Sequence, residues 1–151
     1  MPHPTYLPRT IYVAASPGDL HALLARLGIA PGDVLPEETP PYDYLAEHRN
    51  AAIVQEAQGD VSHVVELHLW GMTVDDLADH FRAASRGPVS IVDEPTGADP
   101  SPFDGTLFHD GASVECEVVE DEVLGEVVLH APKALRKAVV ANAGRRPNQQ
   151  T

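Results

Sequence analysis

The residues with which this chain could do chemistry are its eight histidines and 23 acidic side chains. Glu66, His68 and Trp70 fall at alternate positions of an apolar run, Val61–Trp70. In an extended strand alternate side chains share one face, about 7 Å apart. A carboxylate, an imidazole and an indole would then stand side by side as a ligand face. A metal would need a further donor from elsewhere, and His48, His109 and His130 are the histidines that folding could bring up. The chain has no HExxH, no His-x-His and no paired Cys/His spacing, so no metal signature is present and no cofactor is expected.

A second constellation is purely acidic. Glu115 and Glu117 alternate with Val114, Cys116 and Val118, and Glu120-Asp121-Glu122 continue the run into a turn. From Asp93 to Glu126 the chain has eleven acidic residues and no Lys or Arg, whereas from Val127 onward it has five basic residues and no acid. Crowded like charges repel, and a cationic partner relieves that repulsion. Glu115, Glu117, Glu120, Asp121 and Glu122 are therefore the candidate partner-binding residues. Calcium is a poor fit, because the spaced Asp ligands and the glycine of an EF-hand loop are missing.

A nucleophile is hard to nominate. Cys116 is expected to point inward with Val114 and Val118 and reads as a buried structural thiol. No Gly-x-Ser-x-Gly elbow, Walker sequence or Gly-x-Gly-x-x-Gly run occurs. Catalysis has no sequence warrant, and the reading leans away from an enzyme.

The elements that must position these groups are well signalled. Thr10–Ala15 alternates as a strand. A helix follows, with Ser16 as N-cap, Pro17 at its first position, an apolar stripe of Leu20, Leu23, Leu24 and Leu27, and Gly28 at its end. Residues 29–50 form a long proline-rich loop, with a short helix expected near 42–48. Ala51–Ala57 and Val61–Trp70 read as a hairpin turning at Gln58-Gly59-Asp60, with Val61, His63, Val65, Leu67 and Leu69 facing the core. Thr73 and Asp76 form a capping box for a second helix, with Val74, Leu77, Ala78, Phe81 and Ala84 as its stripe. Pro88–Asp93 is a fourth strand. This order, βαββαβ, is the ferredoxin-like arrangement.

Beyond it, Asp110-Gly111 marks a hairpin between 107–109 and 112–119, and 123–130 makes a third strand, with a bulge at Gly125. A last helix opens at Pro132, faces Leu135, Ala138, Val139 and Asn142 inward, presents Lys133, Arg136 and Lys137 together, and closes at Gly144. The fold expected is thus α+β: a ferredoxin-like βαββαβ core extended by a C-terminal three-stranded antiparallel unit and a terminal helix. Residues 1–144 form one domain and 145–151 a disordered tail.

Composition narrows the partner. The 151 residues carry a formal charge of −13, which argues against nucleic acid because phosphate binding needs a basic stripe. Protonating all eight histidines would bring the charge to −5. No eighteen apolar residues run together, so no membrane span is expected. A single cysteine excludes an internal disulfide and suits a reducing, cytoplasmic setting.

The first functional expectation is an acidic, non-catalytic module, such as an inhibitor or immunity protein, that meets a basic protein. The second is a structural or assembly component, for example of a phage or other particle, that self-associates through opposed charge patches. The third is a small metal- or ligand-binding enzyme using Glu66 and His68.

Overall fold

The computed structural model describes residues 5–36, 48–94, 102–121 and 126–144. In chain order these form β1 (Tyr6–Ala14), α1 (Pro17–Arg26), a 3-10 turn (Pro31–Asp33), β2 (Val34–Pro36), β3 (Ala51–Glu56), β4 (Gln58–Gly59) and β5 (His63–Trp70). There follow α2 (Val74–Ala84), β6 (Ser90–Glu94), β7 (Phe103–His109), β8 (Ala112–Asp121), β9 (Glu126–His130) and α3 (Lys133–Asn142). The architecture is mixed α+β: one large sheet of nine strands and three helices among the described residues.

The sheet runs β2-β3-β5-β1-β6-β7-β8-β9-β4. Its pairs are antiparallel except β2–β3 and β4–β9. The C-terminal strands therefore continue the main sheet through β6–β7. Because β4 lies in the connection between β3 and β5 yet pairs with β9, the sheet curls until its far edge meets that connection.

Curling gives two cores. On one face the leucine stripe of α1 and Leu77 and Phe81 of α2 pack on Ile11, Val13, Val65, Leu67, Leu69 and Ile91. On the other, Val139 of α3 and Ala143 at its C-cap close over Tyr12, Ala14, Val92, Leu107, Cys116, Val118, Val127 and Leu129. β1 and β6 lie between the cores, so Ile11 to Ala14 and Ser90 to Glu94 are buried on both faces.

The helix signals act as read. Ser16 Oγ accepts from the Asp19 amide at 3.1 Å, and Thr73 and Asp76 close a reciprocal capping box. Val74 departs from its stripe, being exposed in the first turn of α2, and Val140 joins the buried face of α3. Asp110 and Gly111 both take positive φ, 52° and 78°, as a two-residue hairpin between right-twisted strands requires.

Two expectations are corrected by the strands themselves. β1 starts four residues before Thr10, and Pro8 is tolerated there because only β5 pairs with that stretch. β5 starts at His63, two residues later than read. Its His63, Val65, Leu67 and Leu69 share the face covered by α1 and α2, but Val61 is swung into the second core.

The cause of that swing is Asp60, which is 1% exposed. Its carboxylate accepts from the Leu129 amide at 2.8 Å and from Arg136 Nε at 2.8 Å and Nη2 at 3.2 Å, while its own amide donates to the Val127 carbonyl at 2.8 Å. These bonds pull the 57–62 connection across to β9. Gly59 permits the approach, since with φ +95° any Cβ there would overlap the Val127 carbonyl oxygen. Within 29–50 the turn at Pro31–Asp33 and strand β2 replace part of the expected loop. The short helix near 42–48 falls mainly outside the described residues, as does Gly125.

Candidate functional site

The ligand face read from sequence lies on β5. His68 is buried, Trp70 half-buried and Glu66 exposed. The register sets Tyr6 of β1 opposite Trp70 and Pro8 opposite His68. The Tyr6 hydroxyl and His68 Nδ1 are 2.5 Å apart, and the Tyr6 ring lies 4.8 Å from the indole, centroid to centroid. His48 covers the indole at 4.4 Å. Asn50 fixes that approach: its amide donates to the Leu27 carbonyl at 3.0 Å and its oxygen accepts from the Trp70 amide at 2.8 Å.

Burial lowers the pKa of His68 from its usual value, and the nearby Glu66 carboxylate opposes the shift. With Glu66 Oε1 3.6 Å from Nε2, the pair is too long for a hydrogen bond. His68 Nε2 and Trp70 Nε1 are both buried without a hydrogen-bond partner among the described residues. Burial, and next the charge of Glu66, raises the Tyr6 hydroxyl above its usual range. The rings are in mutual contact around Trp70. His109 and His130 do not join this cluster: His109 Nδ1 lies 2.8 Å from Ser90 Oγ, and His130 stands on β9 opposite Glu117. Among the described residues, no three His, Cys, Asp or Glu side chains come together as a metal site.

The acidic residues divide between the two faces of β8. Glu115 and Glu117 point outward and are exposed, whereas Cys116 and Val118 face the second core. Glu120 shares the parity of Cys116 and Val118, and the Tyr12 hydroxyl donates to it. Burial, that bond and the charges of Glu120 and Glu94 hold the Tyr12 hydroxyl far above its usual range. The carboxylate run is therefore not one face, because strand alternation sets Glu120, although exposed, on the side of Cys116, Val118 and Tyr12. Asp121 ends β8, its side chain lies outside the described set, and Glu122 falls outside the described residues.

The outward face gains Asp104, which sequence reasoning overlooked. In register, Asp104 of β7, Glu117 of β8 and His130 of β9 lie side by side, with Glu115 opposite Thr106 one step along. The alternation of 103–109 would have revealed Asp104, had its strand been started early enough. Neither β7, β8 nor β9 contains a Lys or Arg. Burial, and then the charge of Asp104, pushes the Cys116 thiol up to about 11, as befits an inert structural cysteine. On α3, Lys133 and Lys137 are exposed, but Arg136 is turned onto Asp60, so the expected basic patch lacks its central member.

A third feature was not anticipated: a cleft of about 730 Å³ between the end of β1, the β3–β5 connection and the end of α3. No helix among the described residues is long and apolar enough to cross a membrane. No known family model matches the chain, and no curated protein or solved structure matches it.

Proposed function

We propose that this chain is a non-catalytic binding module for a basic protein, which it meets on the outward face of β7, β8 and β9. The observation that carries this reading is the ladder of Asp104, Glu115 and Glu117 on a stretch of sheet with no cation of its own. The core under α1 and α2 takes only Phe108 from these three strands, so the outward sides of β8 and β9 contribute nothing to it. Acidic surfaces of this kind raise the association rate of a cationic partner by steering. An inhibitor or immunity protein acting on a cationic toxin or nuclease is the role we assign.

The scaffold behind it we read as a ferredoxin-like βαββαβ core within a single domain over 1–144. The order β3-β5-β1-β6, all antiparallel, with α1 and α2 on one face, supports that reading. A lone, buried, unreactive cysteine suits a cytoplasmic setting.

An oligoarginine peptide titrated into the labelled protein, followed by amide shifts, tests the surface. Saturable shifts centred on Asp104, Glu115 and Glu117 that vanish at high salt are expected. The pair Glu115→Lys and Glu117→Lys should abolish them while leaving stability within about 0.5 kcal/mol. Shifts that survive both reversals would sink the proposal.

A further inference from the structure

The cleft between the end of β1 and the end of α3 has a size typical of ligand pockets, 300–1,000 Å³. Its walls come from Ser16 and Pro17 at the head of α1, Glu56, Gln58, Ser62 and His63 on the β3–β5 connection, Glu126 of β9, and Asn142 to Gly144 closing α3.

Apart from Gln58 and from His63, whose Nδ1 lies 3.0 Å from Ser62 Oγ, its polar lining is of one kind. Ser16 Oγ is engaged with Asp19, and Ser62 Oγ with the backbone of Val13 and Ala15. One N–H of the Asn142 amide is donated to Ser90 Oγ at 3.0 Å, and its carbonyl oxygen is an acceptor. Among the described residues, Glu56 and Glu126 have no ion-pair partner and no Lys or Arg lines the cleft.

The helix ends point the same way. α1 and α2 carry Arg26 and Arg82 in their last turns, where a cation offsets the negative end of the helix dipole. α3 has no basic residue in its last turn, and its closing residues line the cleft. The opposing positive end of α1 is weak as an anion site, because Pro17 lacks an N–H and Asp19 already occupies the first turn.

We propose that this cleft is a binding site for a cationic nitrogen group, an ammonium or guanidinium, held by Glu56 and Glu126 against the carboxyl end of α3. The group belongs to a free amine or to a basic side chain of a partner. The inference stands apart from the sheet-face reading, since Asp104, Glu115 and Glu117 take no part in it.

Agmatine and the oligoarginine peptide, titrated separately and followed by amide shifts, test it. Saturable shifts at Gln58, His63, Glu126 and Gly144 are expected with at least one of them. Agmatine acting alone identifies a free-amine site, and the peptide acting alone identifies a site for a partner's side chain. Glu56→Gln with Glu126→Gln, which keep shape and remove charge, should weaken that binding at least tenfold, while Glu115→Lys with Glu117→Lys leaves it in place. Either no shift at millimolar probe, or binding that Glu56→Gln and Glu126→Gln leave unchanged, overturns the proposal. An unchanged amide spectrum for those variants without ligand rules out misfolding as the cause of a loss.

Discussion

The two halves of this sheet are held by different forces. Under α1 and α2, β3, β5, β1 and β6 are fixed by an apolar core of leucines, valines, isoleucines and two phenylalanines. Phe81 and Phe108 meet there with ring centroids 5.5 Å apart. The C-terminal half packs a smaller set of side chains against α3, and its closure depends on one buried carboxylate, Asp60, bridging the β3–β5 connection, β9 and Arg136. Apolar packing is non-directional and tolerates approximate geometry, whereas a buried charge demands each of its partners. The half closed by a polar staple is also the half with a bare acidic face, and the cleft of about 730 Å³ lies where it meets the ends of β1 and β3. Surface left uncovered by helices is where binding groups can accumulate without disturbing the main core.

The sharpest way to break this comparison is to remove one key residue from each half. Phe81→Ala should cost about 3–5 kcal/mol, through lost apolar transfer and the cavity left behind. Denaturant unfolding would measure it, and amide exchange should accelerate across β5, β1 and α2 together. Asp60→Ala should cost about 2–3 kcal/mol, mainly because the Leu129 N–H loses its acceptor. The Arg136 guanidinium, with 40% of its side chain exposed, can return to water and adds little. Here exchange should rise in β9 and α3 while α1 and α2 stay protected. Uniform exposure in both variants would mean that the two halves are a single cooperative unit.

A smaller effect separates the two ends of β5. Burial lowers the pKa of His68, so below about pH 6.5 the unfolded chain takes up a proton that the folded chain refuses. Stability contributed by this residue is therefore full above that pH and falls as the pH drops toward the lowered value. His68→Gln should flatten the stability–pH profile between pH 7 and 5, and Trp70, the one tryptophan, reports the transition by fluorescence. An unchanged slope would show that His68 titrates in the folded chain as it does in the unfolded one.

Much of the helix-covered half was legible because its signals are local. Ser16, Thr73 and Asp76 act through amides three residues away, and Asp110-Gly111 needs only its own backbone angles. The candidate sites were legible only in part. Alternation placed Glu66, His68 and Trp70 on β5, but Tyr6 reaches them through a pairing 62 residues distant, beyond a proline that hid the start of its strand. The acidic run was visible as composition, yet parity splits Glu120 from Glu115 and Glu117.

By itself, then, the sequence determined the helices, the caps at Ser16 and Thr73, the hairpin at Asp110-Gly111, the burial of Cys116 and Val118 (though not of Val114, which is exposed) and the acidic character of 93–126. Each of these follows from interactions within a few residues or from a simple period. Only the tertiary structure decided that Asp60 is a buried staple and not a turn residue, and that Arg136 leaves the basic patch. It also decided that Glu56 and Glu126 share a cleft with the end of α3. The physical reason is common to all three. A charged side chain has no preferred neighbour in its own segment, and its partner is set by the curl of the sheet, which brings together residues dozens of positions apart.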